Sequence, residues 1–267
     1  MRIIESYNLE EAFLYEKPFM FIKGYATALG LNYTLRALPL ARKFHDGQYR
    51  KKDIKINDTT YKLPYVIHVL EVCSIIISVV DGLIDRKESN FTKEDLDILL
   101  TSALLHDSLE DCPNFFTHGA TDIMTVYGFP REVYEIVTLV SKRSGATEPE
   151  LDEYFNKIKK NRLALMVKLA DRSNNVEDLY IMKPEKLHKY VYETREWIYP
   201  LISYGKTNYP EFSSGLTALK RQIRNSTENT EATMAIYEQE IKNLRDLMNE
   251  QLKLKDEEIA KLKNGKK

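Results

Sequence analysis

The sequence predicts an all-α protein, and three observations carry that prediction. The 267 residues include only 10 glycines and 9 prolines, which favours long helices over a turn-rich β fold. Apolar residues recur at intervals of three and four over most of the chain, and no sustained period of two is present. With 43% apolar and 30% charged residues, the chain has enough apolar material for a sizeable core.

The first predicted helices flank a polar stretch. Apolar residues repeat with helical spacing over residues 34–45. Residues 50–62 are basic and polar and contain the turn-forming pair Asn57-Asp58, so we predict a loop there. Pro64 then opens a helix with a long apolar stripe.

A capping-box pattern marks the start of the next helix. Asp95 follows Thr92 by three residues, a spacing typical of helix N-termini, and the helix it starts runs to His106 and Asp107. Further helices are predicted at residues 123–127, 133–140, 154–158, 163–179, 187–198 and 213–225.

The composition changes at residues 225–227. Beyond this point proline is absent and glycine does not occur before Gly265. Apolar residues spaced by 3, 4, 4, 7 and 3 form a heptad-like seam with one stutter, and Lys255 fills the missing position. The seam consists of Ile241, Leu244, Met248, Leu252, Ile259 and Leu262. We predict a C-terminal helix over residues 226–267 that self-associates as a coiled coil; a surface helix docked on the body and a frayed tail are the alternatives.

Charge and apolar run length limit the partners. A net charge of −1 leaves no global basic field for nucleic acid or an anionic membrane, so a phosphorylated partner must meet a local basic cluster. The longest strongly apolar run, residues 73–80, is far shorter than the ~20 residues that span a bilayer, and residues 1–11 lack the pattern of a signal peptide. With two cysteines, Cys73 and Cys112, free thiols are favoured. We predict a cytoplasmic protein that binds neither membrane nor nucleic acid.

Titratable side chains gather at the end of one apolar helix. Residues His106 and Glu110 are four apart, as are Asp107 and Asp111, so all four are able to line one broad helix face. Buried carboxylates need a cation or hydrogen-bond donors, and histidine with carboxylate is a typical divalent-metal pairing.

Two other segments supply side chains of the same kind. In residues 167–175 an apolar helix leads to Asp171, with Asn175 four residues later on the same face. In residues 63–68, His68 lies one turn into its helix. Together the three segments offer two imidazoles and two carboxylates, a set that suits manganese, iron or a catalytic zinc. These four side chains are His68, His106, Asp107 and Asp171.

These segments resemble the HD hydrolase domain of RelA/SpoT-type proteins, including the stand-alone small alarmone hydrolases. The motifs that carry the resemblance occur in the family's order, at residues 41–50, 64–68, 104–111 and 168–175. The resemblance covers about residues 30–225 and implies an HD-domain helical bundle there. Residues 1–29 would be an N-terminal extension, and residues 226–267 the C-terminal helix.

The resemblance also implies an activity. The family hydrolyses the 3′-pyrophosphate of guanosine tetra- or pentaphosphate and binds one Mn²⁺ ion, whose implied ligands here are the four side chains just named. Glu110 and Asp111 match the catalytic acidic pair, and their separate roles stay open because two nearby carboxylates titrate together. Arg50 and Lys51 match residues that stack on the base and hold phosphate, and Asn175 matches a polar residue near the nucleotide.

Two departures from the family pattern bear on the substrate. Residues 54–62 lengthen the link before the second motif, and Asp178 stands where members that contact the nucleotide often carry threonine. Because a carboxylate repels phosphate, a phosphatase for another phosphorylated nucleotide or dinucleotide stays open as an alternative. A further alternative, of another class, is a non-catalytic nucleotide-binding or scaffold module. No synthetase pattern follows residue 225, so we expect a hydrolase only.

Overall fold

The computed structural model describes residues 9–56, 59–88, 91–142 and 145–264. Helices dominate these ranges, and one small antiparallel sheet accompanies them, which confirms the predicted all-α class. In chain order the helices are α1 (Leu9–Leu29), α2 (Asn32–Phe44), α3 (Val66–Asp85), α4 (Lys93–Leu105), α5 (Ser108–Asp111), α6 (Asp122–Thr125), α7 (Arg131–Val140), α8 (Glu148–Ile158), α9 (Arg162–Asn175), α10 (Pro184–Glu193), α11 (Tyr199–Asn208) and α12 (Ser213–Asn264).

The core forms around α3, which packs against α1, α4 and α9, while α4 also contacts α2 and α7. The most apolar stretch of α3 is long enough to span a membrane, but 61% of it is buried inside the protein. Among the residues described, α3 alone passes that test. Burial on several sides explains why α3 is apolar almost all round.

The N-terminus of α4 has the predicted capping box. The hydroxyl of Thr92 accepts a hydrogen bond from the backbone N–H of Asp95 at 3.0 Å, and the Asp95 carboxylate accepts from the backbone N–H of Thr92 at 3.3 Å. Two N–H groups that have no partner inside the helix are thus satisfied. This cap fixes where α4 begins. His106 follows the last residue of α4 as its C-cap.

The predicted loop over residues 50–62 is wrong. Tyr49–Ile56 (β1) and Thr59–Pro64 (β2) form an antiparallel hairpin in which Asp53 pairs with Lys62. The two strands are highly charged and short, so apolar and polar residues do not alternate along them in the way that predicts a strand. The hairpin forms because the two segments pair with each other. The predicted turn at Asn57-Asp58 lies outside the described residues.

The first and the last described helices, α1 and α12, both pack against the bundle. Helix α1 packs on α2 and α3 and adds Ile22 and Ala26 to the core. The start of the HD domain at residue 30 stays a prediction. Helix α12 runs unbroken through the predicted boundary at residue 225 and buries Leu216, Leu219 and Ile223. Its residues 235–261 are all exposed, and at 1.5 Å per residue the whole helix is ~78 Å long.

Candidate active site

Four side chains from distant parts of the chain converge at one point. The Nε2 atom of His68 lies 3.3 Å from a carboxylate oxygen of Asp107 and 3.3 Å from one of Asp171. The Nε2 atom of His106 lies 3.1 Å from the same Asp107 oxygen and 3.7 Å from the same Asp171 oxygen. One ligand atom each from His68, His106 and Asp107 falls within 4.8 Å of the others. The structure therefore brings together all four predicted ligand side chains.

The His106 ring is oriented by its own helix. Its Nδ1 lies 2.8 Å from the backbone oxygen of Ala103, and because a carbonyl only accepts, Nδ1 is the donor. In the neutral ring Nε2 then carries a lone pair. Among the described residues this buried Nε2 has no hydrogen-bond partner. Two acceptors, Nε2 and the Asp107 oxygen, then face each other at 3.1 Å, and either a proton or a metal ion must lie between them, so the donor set fits a metal ion.

A chain of hydrogen bonds orients the His68 ring. The side-chain Nδ2 of Asn174 donates to the Glu71 carboxylate at 2.9 Å, which identifies Oδ1 of Asn174 as the acceptor on its other side. That oxygen lies 2.6 Å from Nδ1 of His68. The Nδ1 atom of His68 therefore donates, and in the neutral ring its Nε2 directs a lone pair toward the carboxylates.

The two carboxylates are held ionised. Burial raises the pKa of Asp107, but the neighbouring His106 and His68 outweigh it and hold that pKa well below its usual range. Burial likewise opposes the charge of Asp171, and Lys168 together with the two histidines holds its pKa well below the usual range. Conversely, the carboxylates raise the pKa of His106 well above 6.5 despite its burial. The site therefore favours the binding of a positive charge between these side chains.

Neighbouring polar groups fix the carboxylates in place. The Tyr65 hydroxyl donates to Oδ2 of Asp107 at 2.7 Å. The Lys168 ammonium lies 3.0 Å from Oδ2 of Asp171, and the Asn175 amide donates to Oδ1 of Asp171 at 2.5 Å. The structure thus places Asn175, predicted as a substrate-binding residue, against a candidate metal ligand.

The acidic pair follows Asp107 on a separate short helix. The sequence suggests one continuous helix through these residues, but α4 ends at Leu105 and α5 begins at Ser108. Glu110 and Asp111 are exposed, and an oxygen of Glu110 accepts from the backbone N–H of Lys142. Partial burial raises the pKa of both carboxyls, and the charge of Asp107 adds to the rise. Both groups therefore gain protons more readily than free carboxyls.

Two basic side chains of β1, Arg50 and Lys52, lie next to the same centre. Arg50 donates from Nη1 to Oδ1 of Asn174 at 3.1 Å and from Nη2 to Oδ2 of Asp178 at 2.6 Å. Lys52 reaches the other oxygen of Asp178 at 3.2 Å. Lys51 is exposed. Arg50 and Lys52 therefore share one carboxylate, and Arg50 is joined to His68 through Asn174.

Sequence reasoning missed several residues of this site. Asn174 contacts His68 and Arg50, but the motif singled out its neighbour Asn175 instead. Glu71 lies three residues after His68, a helical spacing that could have placed both on one face of α3. Tyr65 stands inside a quoted motif and was given no role.

Comparisons with known proteins agree with the motifs. No protein-family model matches the chain. The bifunctional (p)ppGpp synthase/hydrolase SpoT of Escherichia coli is 25% identical over 197 residues, 71% of this chain and 24% of its own length. The guanosine-3′,5′-bis(diphosphate) 3′-pyrophosphohydrolase of Haemophilus influenzae is 28% identical over 170 residues, 61% of this chain and 21% of its own length.

A solved structure is also similar. It is described as a metazoan ortholog of SpoT that hydrolyzes ppGpp, and it matches with a TM-score of 0.49 at 22% identity over 72% of this chain and 95% of its own. The chain spans less than a quarter of the curated relatives named above. The curated relatives confirm the resemblance to RelA/SpoT-type HD hydrolases that the motifs predicted.

Proposed function

We propose that this protein is a metal-dependent hydrolase that removes the 3′-pyrophosphate from guanosine tetra- or pentaphosphate. The observation that carries the proposal is the convergence of His68, His106, Asp107 and Asp171, with an acidic pair and a basic strand beside it. The names of the curated relatives support this substrate. Hydrolysis would release pyrophosphate and GDP or GTP.

Mn²⁺ is the ion we propose for the centre. Two imidazole and two carboxylate ligands without a thiolate suit manganese. When bound, the ion would lower the pKa of the attacking water and polarise a phosphoryl oxygen. The chain's own residues prepare the site: Ala103 and Asn174 fix the two imidazole rings, and Tyr65 and Lys168 fix the two carboxylates.

Glu110 and Asp111 would handle the protons of the reaction. Attack by water on the phosphorus attached to the 3′ oxygen requires a base that takes a proton from the water. Cleavage of the bond between that phosphorus and the 3′ oxygen requires an acid that protonates the 3′ oxygen of the departing GDP or GTP, and the water oxygen leaves in pyrophosphate. Carboxyls with raised pKa values exchange protons more readily near neutral pH. Glu110 is held by the Lys142 backbone and Asp111 follows it directly, so either residue is able to take either role.

Arg50 would stack on the guanine base. Its Nη1 and Nη2 donors are already engaged by Asn174 and Asp178, which fixes the orientation of the guanidinium plane on which a planar ring would stack. Lys51 is exposed and would reach a phosphate, while Asn175 would act near the nucleotide from its position beside Asp171.

A second candidate substrate is favoured by one observation. Asp178 offsets part of the positive charge of Arg50 and Lys52, so the site would hold a less highly charged ligand, such as a phosphorylated dinucleotide, better than a purely basic site would. A panel of substrates separates the two proposals.

The decisive experiment is turnover in Mn²⁺ by purified protein. Guanosine tetraphosphate is incubated beside phosphorylated dinucleotides and nucleoside monophosphates, and products are separated by ion-exchange chromatography. We expect GDP and pyrophosphate in equal amounts from guanosine tetraphosphate, and none from the Asp107→Ala variant. Turnover of a dinucleotide alone would favour the second candidate, and release of no phosphate or pyrophosphate from any compound would leave a non-catalytic binding module.

We also propose that the protein works in the cytoplasm as a homo-oligomer. The features that support self-association are the heptad-like seam of α12 and the exposure of residues 235–261.

A further inference from the structure

The projecting arm of α12, residues 235–264, carries an apolar seam that Lys255 interrupts once. The seam extends the predicted coiled-coil positions back to Met234 and Tyr237. Its large apolar side chains between Tyr237 and Ile259 are 48% to 62% exposed. Most of the stability of a helix in a protein comes from packing of its apolar face, and a long exposed apolar stripe marks an interface.

The intervals between successive seam residues follow the same order when they are counted from either end of the seam. Its nine positions are separated by 3, 4, 3, 4, 4, 3, 4 and 3 residues, which makes Met248 the centre. The positions are Met234, Tyr237, Ile241, Leu244, Met248, Leu252, Lys255, Ile259 and Leu262. When two such helices run in opposite directions about Met248, every seam position meets a seam position. The stutter then lies on the two-fold axis.

Lys255 gives a further reason for this orientation. In a parallel pair the two Lys255 ammonium groups would face each other inside the apolar seam. In an antiparallel pair Lys255 lies opposite Ile241, beside Glu240, where its stem packs and its charge finds an opposite charge.

The seam leads into a groove at the base of the arm. This groove of about 680 Å³ lies between α10 and α12, with Leu187 on one wall and Met234, Tyr237 and Ile241 on the other. In the antiparallel register, residue 262 of a second chain comes opposite Met234, so the end of one arm would cover the groove of the other protomer.

We infer that a second copy of this chain covers the seam and that the two arms run antiparallel, centred on Met248. This inference rests on the self-association proposed above and adds its orientation and register. It does not depend on the substrate.

Single cysteines introduced into the full chain test the register. The native Cys73 and Cys112 are both buried and free, so they leave a low background. Under mild oxidation we expect Met248→Cys to form a disulfide-linked dimer by itself. Ile241→Cys alone and Lys255→Cys alone should not, but an equal mixture of the two should. Cross-linked species are counted on non-reducing gels.

Measurement of the molecular mass tests whether the chain dimerises, separately from the direction in which the two arms run. Light scattering should give twice 31.2 kDa for the wild type and for Asn249→Glu, which places a charge on the exposed arm outside the seam. Met248→Glu should give the monomer mass. A monomeric wild type would overturn both the association and its orientation. A dimer in which Ile241→Cys cross-links by itself as well as Met248→Cys would overturn the antiparallel orientation alone.

Discussion

Asp178 holds the guanidinium of Arg50 at the edge of the candidate metal centre. Oδ2 of Asp178 lies 2.6 Å from Nη2 of Arg50, and the two side chains are only 12% and 9% exposed. The other side of the guanidinium contacts Asn174, which also accepts from His68. The charge of Asp178 is thus taken up by Arg50 and Lys52, so this carboxylate does not confront the substrate as an unpaired charge.

Replacing Asp178 with asparagine should weaken substrate binding. The variant keeps the shape of the side chain but loses the charge that orients Arg50, and a charge-assisted hydrogen bond is worth about 1.5–3 kcal/mol. We expect KM for guanosine tetraphosphate to rise about tenfold, equivalent to ~1.4 kcal/mol, while kcat changes little. Steady-state kinetics give both constants. Glu177→Gln at the exposed neighbouring position is the control, and a fall in KM for Asp178→Asn would mean that Asp178 competes with the substrate.

Loss of either candidate carboxylate ligand should abolish metal retention. Asp107→Ala or Asp171→Ala removes one of two anionic ligands from a centre whose histidines depend on them for charge balance. After dialysis, metal content measured by mass spectrometry should be negligible for both variants. His118→Ala, at a surface histidine that is paired with Asp122 outside the site, should keep the full content. Retention of metal by either aspartate variant would remove that residue from the ligand set.

Asn174 should matter for metal affinity although it is not a ligand. Its oxygen accepts from His68 and holds the ring with Nε2 toward the centre, and loss of such an outer partner typically costs 10- to 100-fold in affinity or activity. We expect Asn174→Ala to weaken Mn²⁺ binding by about tenfold or more, with activity partly restored at high Mn²⁺. The exposed Asn156→Ala is the matched control. An unchanged Mn²⁺ titration would show that His68 needs no such support.

Glu110→Gln should separate catalysis from folding. The amide keeps an oxygen for the Lys142 N–H but cannot transfer a proton, so kcat should fall by about 10²- to 10⁴-fold with metal content unchanged. The surroundings raise the pKa of Glu110, so ionisation of this carboxyl lowers the stability of the folded protein at pH values above that pKa. The uncharged Glu110→Gln variant should therefore not have a lower Tm than the wild type at pH 7. Turnover and thermal unfolding are measured on the same preparation, and an unchanged kcat would exclude Glu110 from proton transfer.

Metal-free and metal-loaded protein should respond to pH in opposite ways. The pKa of His106 is raised by Asp107 and Asp171, so its protonation stabilises the metal-free fold fully below about pH 6.5. That stabilisation is lost as pH rises through the higher folded pKa. Metal binding must displace this proton, so affinity should rise with pH. Thermal unfolding from pH 6.5 to 9 should therefore show Tm falling in a chelator and rising in limiting Mn²⁺; parallel curves would contradict this account.

Local patterns account for what was predictable from the sequence. The Thr92–Asp95 cap depends on residues three apart, and the apolar stripe of α3 depends on helical spacing, so both follow from the chain alone. The motifs containing His68 and Asp171 were identifiable because each is a short segment with a defined order. These features together predicted an all-α bundle and a mixed imidazole and carboxylate centre.

Contacts between distant segments were decided only by the tertiary structure. The hairpin over residues 49–64 forms by pairing two strands that show no apolar alternation. Arg50 and Asp178 are 128 residues apart, and Asn174 reaches His68 across 106 residues. No periodicity relates such pairs, because their proximity results from how helices pack around a shared core. The sequence alone determined which side chains are available for chemistry, and packing decided which donor each acceptor meets and therefore which charges are compensated.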